Sequence, residues 1–279
     1  MYKTLFSPKH INATPDDLAG NDGIGRYIIL PGSDGRAKEI AGHFDNVVVK
    51  SHHRAHNLYM GTLSAEGRTI DVAAVASGMG CPSTEIIVHE LFHLGARRFL
   101  RVGTAGSLQP QWLKIGSLVN AQASVRDEST TINYAPLEFP AIASLEFASA
   151  ILLAAEKLGF SDQLHTGIVH CKSSFYAREF GAGPRSVENN AYLELLSQTG
   201  VLATEMETAT LFIQSQIYNH QQRNQSGSLK HRVLAGAILA IIATLEHFDD
   251  TKRAQHAIQN GIQLAIEAIK TLATQEVME

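Results

Sequence analysis

The sequence is poor in the residues that mark metal or disulfide scaffolds. Among its 279 residues are two cysteines, Cys81 and Cys171, far apart and in no C-x-x-C spacing. Neither a disulfide framework nor a zinc knuckle is implied, and both read as small core residues. No uninterrupted apolar run approaches the ~20 residues needed to span a bilayer. The opening stretch "MYKTLFSPKHINATPDD" has no basic head followed by an apolar segment. A soluble cytoplasmic protein without a membrane partner is the expectation. An excess of one charge is missing too: 27 acidic residues face 23 basic ones, with no basic block to suggest a nucleic-acid partner. No Pro/Ser-rich linker divides the chain, and no internal repeat is visible, so residues 1–279 are expected to form one domain.

With 44% hydrophobic residues, the chain can build a sizeable core. Apolar or β-branched runs bounded by turn residues predict strands at 26–31, 46–51, 69–77, 97–103, 116–125, 165–170, 200–206 and 232–242. Helical patterns fall at 35–44, 82–94, 144–158, 187–198, 207–218 and 251–272. This alternation argues for an α/β fold with a largely parallel or mixed sheet. The polar segment "NHQQRNQSGSLKH" (219–231) reads as a mobile surface loop between a helix and a strand.

Two motifs invite readings that their context weakens. "HELFH" (89–93) matches the H-E-x-x-H zinc pattern, but no third ligand cluster follows and the helix leads straight into "LGARRFLRVG"; ordinary residues on a sheet-covering helix, with no metal, are expected. "GMGCPS" (78–83) follows a strand and opens a helix, yet Ser83 stands where a dinucleotide fingerprint has its third glycine. A tight turn with Pro82 in the first helical turn, or a site-lining loop, accounts for it equally well.

More informative are two strand-end loops that combine glycine with arginine. "LPGSDGRAKEI" (30–40) turns on Gly32 and Gly35 and starts a helix with Arg36; "LRVGTAGSLQP" (100–110) carries Arg101, Gly103, Thr104 and Gly106. Glycine lets backbone N–H groups approach an anion, a helix N-terminus favours negative charge, and a guanidinium supplies a bidentate fork. Together they describe a phosphate site at the carboxyl ends of adjacent strands. Further along, "VLATEMETATLF" (201–212) sets Glu205 and Glu207 around Met206, where an apolar run gives way to a helical pattern. Acids in a first helical turn complement the dipole; they are also candidates for a ligand.

The segments "LPGSDGR", "SHHR", "SGMGCPS", "LRVGTAG", "YAPLEFP", "SSFY" and "ATEMET" occur in the order found in the nucleoside phosphorylase-I superfamily, and the chain most resembles its uridine phosphorylases from His10 to the final helix. The resemblance implies a three-layer αβα domain around a central mixed β-sheet, assembled as a hexamer of dimers with active sites shared across the dimer interface. It also implies a pentosyltransferase that splits a pyrimidine nucleoside with inorganic phosphate as co-substrate and without a cofactor. Gly32, Arg36, Arg101 and Thr104 match phosphate-binding positions, and Arg54 matches an arginine lent by the neighbouring subunit. His10 matches a histidine that crosses the interface to the ribose 5′-hydroxyl. Phe175 matches the aromatic residue near base and sugar, and Glu205, Met206 and Glu207 match the ribose-binding stretch. Arg101 and Glu207 would carry the catalysis.

The base-reading loop departs from the family. After "SSFY" a glutamine and an arginine are expected, but the sequence is "SSFYAREFGAGPR" (173–185). Arg178 or Arg185 can take the arginine's part, Arg178 being the first candidate for stabilising a leaving base anion, and Glu179 can face the N3–H. Where purine members carry a Ser-Asp pair and pyrimidine members an Asn-Arg pair, this chain has Ala240, Ile241 and Ile242. Ala55 replaces an acidic position that binds a monovalent cation in some relatives, so that ion is not expected. A hydrolytic nucleosidase and a nucleoside-binding protein remain as alternatives.

Overall fold

The computed structural model describes residues 6–226, 232–244 and 252–278. In chain order the elements are α1 (Pro15–Leu18), β1 (Tyr27–Pro31), α2 (Asp34–Ala41), β2 (Asp45–Lys50), β3 (Leu58–Ala65), β4 (Arg68–Ala74), α3 (Cys81–His93), β5 (Arg98–Ser107) and β6 (Leu118–Asp127). They continue as β7 (Ala141–Ile142), α4 (Leu145–Leu158), β8 (Leu164–Lys172), α5 (Phe175–Phe180), α6 (Ser186–Gln198), β9 (Ala203–Glu205), α7 (Thr208–Ser226), β10 (Leu234–Thr244) and α8 (Lys252–Met278).

The ten strands among the described residues join one mixed sheet in the order β10-β6-β8-β9-β5-β1-β4-β3-β2, with β7 on β6. The expected α/β fold with a central mixed sheet is thus present. Its centre is β1, "YIILP", buried along its whole length and parallel to both β4 and β5. Successive strand residues face opposite sides, so Ile28 and Leu30 enter one core while Tyr27 and Ile29 enter the other. The first core is closed by α3 and α7 through Ile87, Leu91, Leu211 and Phe212. The second is closed by α2, α4 and α8 through Ile40, Phe147, Ile151, Ile262 and Ile269. These are the three layers.

One half of the sheet closes on itself, which the strand count did not foretell. β5 pairs with β10 along its length and with β9 through Gly106 and Ser107; β9 pairs with β8, β8 with β6, and β6 with β10. The ring of five strands brings the ends of β5, β8 and β9 together.

Two expectations are corrected. Residues 58–65 are a strand not foreseen from sequence: Gly61 interrupts the apolar alternation there, because a Cβ at that position would meet the Cβ of Phe44 at 2.7 Å. The polar segment expected as a loop from 219 is helical through Ser226. Asn219 bonds both the Val233 carbonyl (2.8 Å) and the Val233 N–H (2.6 Å), tying this helix to the following strand. Polarity there marks a helix leaving the core, not a break. Residues 227–231 of that segment, and Thr251 at the start of the last expected helix, lie outside the described residues.

Candidate active site

Arg101 lies in the middle of β5, 4% exposed, and meets both acids of the "EME" segment. Its Nε is 3.1 Å from Glu205 Oε2, and its Nη2 bonds Glu207 Oε2. The strand makes room for the folded guanidinium with Gly103, where a Cβ would sit 2.7 Å from Nη2 and 2.9 Å from Cζ. Sequence reading took this glycine for part of a strand-end loop. It is instead inside β5, which continues to Ser107.

The two acids are held differently. Glu205 takes four donors: Arg101 Nε, the backbone N–H of Glu207 (2.9 Å) and of Thr208 (3.0 Å), and the Thr208 hydroxyl. A carboxylate offers about four acceptor positions, so Glu205 is saturated. Burial alone would raise its pKa, but Arg101 and these bonds hold it below the ordinary carboxylate value. Glu207 takes two: Arg101 Nη2 on one oxygen and the Gly80 N–H on the other. One acceptor position per oxygen is left. Burial pushes its pKa up, Arg101 opposes, and the neighbouring Glu205 charge adds to the rise. Arg101 itself is pulled down by burial and more than restored by Glu207 and Glu205. Its remaining Nη1 is buried without a hydrogen-bond partner, an omission that costs about 1–3 kcal/mol unless something accepts from it.

"GMGCPS" is the turn into α3. Gly78, with φ of 77°, passes where a Cβ would come within 2.0 Å of Ser83 Oγ, and Gly80 caps α3 while donating to Glu207. Cys81 opens the helix, donates to the Met206 carbonyl at 3.2 Å and lies 3.4 Å from Cys171, both being free buried thiols. Sequence distance hid this pairing.

Across the first loop, Ser33 caps α2 by accepting from the Arg36 N–H at 3.4 Å, which sets Arg36 in the first helical turn. Among the described residues no hydrogen bond or ion pair is made by its guanidinium. Burial, with the positive charge of Arg101, lowers its pKa. Gly32 precedes this cap, and Thr104 stands on β5 opposite Ala240 of β10. Arg54 is exposed in the turn between β2 and β3. His10 is tied to Glu90, whose carboxylate also takes the N–H groups of Lys9 and Ile11. The acid of "HELFH" therefore anchors the N-terminal segment, while His93 stacks on Phe6, His89 meets the Phe6 ring edge-on, and the two imidazoles lie tilted against each other. Among the described residues no group of three or more metal-ligating side chains is found.

On the other side of β9, Thr204 joins a second polar set. Lys172, which ends β8 and is 1% exposed, donates to Thr204 Oγ1 at 2.9 Å and lies 3.3 Å from Glu179 Oε2 and 5.9 Å from the Phe175 ring centre. His170 bridges Thr204 Oγ1 and Asp127 Oδ2, each at 3.0 Å. Arg178 forks onto Asp127 (2.8 Å to each oxygen), donates to Asn189 Oδ1 at 2.8 Å, and lies over the Tyr192 ring at 4.6 Å. Arg185 is exposed at the start of α6. Sequence reasoning missed Lys172 and Thr208, and left "GMGCPS" with Gly80 between a tight turn and a site-lining loop; the signal for Lys172 was a cation closing the run "HTGIVHCK" just before the aromatic pair.

Two surface hollows lie elsewhere, along α8 from Lys252 to Gln263 and between α4 and α8 around Lys157 and Thr271. The chemistry is gathered around β9. No helix among the described residues is long and apolar enough to cross a membrane.

A uridine phosphorylase of Treponema pallidum is 37% identical over 264 residues, covering 91% of this chain and 92% of the relative. One of Thermococcus kodakarensis is 32% identical over 269 residues, covering 95% and 86%. A guanosine phosphorylase of Halorubrum lacusprofundi is 29% identical over 198 residues, covering 71% and 75%. Residues 26–270 match the family model described as phosphorylase superfamily, and the chain belongs to that superfamily.

Proposed function

We propose that the protein is a uridine phosphorylase, a pentosyltransferase that uses inorganic phosphate and no cofactor. An oxygen of phosphate attacks C1′ of the nucleoside, the C1′–N1 bond breaks, and its electron pair leaves with the base. The products are ribose 1-phosphate and uracil, which takes a proton from solvent. The observation that carries this reading is the Arg101 guanidinium: it binds Glu207 on one side and keeps a buried, unpartnered Nη1 on the other. One side is arranged for a sugar, the other for an anion.

Glu207 would accept the 2′- and 3′-hydroxyls with its two remaining acceptor positions, and its charge would favour the oxocarbenium-like transition state. Glu205, already saturated, would hold Arg101 and the start of α7 in place. Arg36, Arg101, Gly32 and Thr104 would hold phosphate in line with the scissile bond, so that much of the acceleration is positioning. Phe175 would pack against base and sugar, with Met206 beneath the ribose. His10 and Arg54 are assigned to a neighbouring subunit's site. The assembly is accordingly read as a homodimer unit within a hexamer, each chain one domain, working in the cytoplasm in pyrimidine salvage.

A hydrolytic nucleosidase has no use for a dianion cradle, and the arginines argue against it. The deciding experiment incubates the protein with uridine, thymidine, inosine and methylthioadenosine, each with and without phosphate, and measures free base and sugar 1-phosphate. Phosphate-dependent release of uracil is expected to be fastest. Equal release without phosphate would establish a hydrolase, and tight binding without turnover a nucleoside-binding protein.

A further inference from the structure

The family's glutamine and arginine are missing from the loop after "SSFY", and Arg178, the nearest replacement in sequence, is committed elsewhere. Asp127, Asn189 and the face of Tyr192 occupy its guanidinium. The cation that faces the Phe175 ring is Lys172. It reaches that place because β8 ends there, and because β9 presents the Thr204 hydroxyl to it.

We propose that Lys172 and Glu179 form a base-reading pair, in which the ammonium donates to a ring carbonyl and the carboxylate accepts the adjacent ring N–H, and that Lys172 stabilises the departing base anion. This rests on the reading of the site as a nucleoside phosphorylase. Four observations support it. The Lys172 ammonium has three donors, and among the described residues its polar contacts are Thr204 at 2.9 Å and Glu179 at 3.3 Å. Apart from that ion pair, the buried Glu179 Oε2 has no hydrogen-bond partner among the described residues. Gly106 of β5 is kept bare for this side chain, since a Cβ there would lie 2.9 Å from Glu179 Oε1. Thr204, which seats Lys172, is the immediate neighbour of Glu205, so the pair adjoins the segment assigned to the ribose.

The chemistry selects one kind of edge. Uracil offers an N–H flanked by two carbonyls, which meets one carboxylate and one ammonium. Cytosine presents a lone pair at N3, which would face the Glu179 carboxylate. When the C1′–N1 bond breaks, the electron pair spreads from N1 onto the ring carbonyls, and an ammonium already beside a carbonyl gains strength as that charge develops. The hydroxyl of Thr204 and the neutral ring of His170 continue the chain to Asp127, which fixes where the lysine points.

The test compares uridine, 5-fluorouridine and cytidine at saturating phosphate in the wild type and in Lys172→Met, Lys172→Arg and Glu179→Gln. Because 5-fluorouracil is the more acidic leaving group, Lys172→Met should lower kcat for uridine about 100-fold while lowering it distinctly less for 5-fluorouridine. The KM for phosphate should stay unchanged, and Lys172→Arg should recover part of the rate. Glu179→Gln should reduce the preference for uridine over cytidine by about tenfold or more. Ratios between two nucleosides on one preparation do not depend on how much of a variant has folded. An equal loss for both uracil nucleosides in Lys172→Met, or an unchanged uridine/cytidine ratio in Glu179→Gln, overturns the base-reading pair alone. A wild type that cleaves no nucleoside with phosphate overturns both this inference and the functional reading beneath it.

Discussion

The two sides of β9 solve the same physical problem differently. On one side, one guanidinium serves two carboxylates, and Glu205 is saturated while Glu207 keeps acceptor capacity. On the other, one ammonium serves one carboxylate, and the neighbouring Arg178 is locked into a network with Asp127 and Asn189. A buried charge is tolerated when its partners fill its hydrogen-bonding capacity, so whatever capacity is left over points to where a ligand belongs. By that criterion Glu207, Arg101 Nη1 and Glu179 are open, whereas Glu205 and Arg178 are closed.

Substitutions can break this contrast at several levels. The largest effects belong to Arg101 and Glu207. Glu207→Ala should lower kcat/KM for uridine by about 100-fold or more, measured as phosphate-dependent release of uracil. Arg101→Ala removes the only cation bonded to Glu205 and Glu207 among the described residues. It should cost about 3–5 kcal/mol of folding stability besides the activity, read from denaturant unfolding.

Glu205→Gln should cost about 1.5–3 kcal/mol at neutral pH, because charge-assisted bonds are lost. The sign with pH follows from its depressed pKa. The stabilisation is present above the ordinary value of 4.5 and fades as pH falls through the lower folded value, so wild type and variant should converge in acid. Glu207 runs the other way, its folded pKa being raised; its contribution to stability is present below 4.5 and is lost as pH rises through the folded value. Its diol contact needs the ionised form, so the acid limb of kcat/KM should lie above 4.5.

A finer comparison uses the two bare positions of β5. Gly103→Ala should displace Arg101 and weaken phosphate binding, while Gly106→Ala should displace Glu179 and alter base preference, each at about 1–3 kcal/mol of overpacking. Phosphate and nucleoside titrations of the two variants separate these outcomes. Least affected should be Arg185→Ala, on an exposed side chain without partners among the described residues, where stability should change by no more than about 0.5 kcal/mol and uridine KM should not move.

Most of the elements were legible because their patterns are periodic. The buried run of β1 and the turn that leads into the helix carrying Arg36 are local signals. Strand β3 was not legible, since Gly61 answers to Phe44, a residue seventeen positions away. Nor was the extent of α7, where composition masks a helix pinned by Asn219. In the site, the acids and arginines could be selected by type, but their division of labour could not. Whether Glu205 or Glu207 is saturated depends on Thr208, Gly80 and Arg101, which come from three segments. Lys172 was passed over because a single lysine at a strand end is ordinarily solvated; here it is buried between β6 and β9 and against Glu179 of α5.

The direct test of Glu207 as the open acid is equilibrium binding of uridine and 3′-deoxyuridine to the wild type and to Glu207→Ala, with no turnover required. The wild type should favour uridine by about tenfold, one hydrogen bond to a charged group, and the variant should bind both alike. An undiminished preference in Glu207→Ala would show that another group reads the diol and would contradict the assignment.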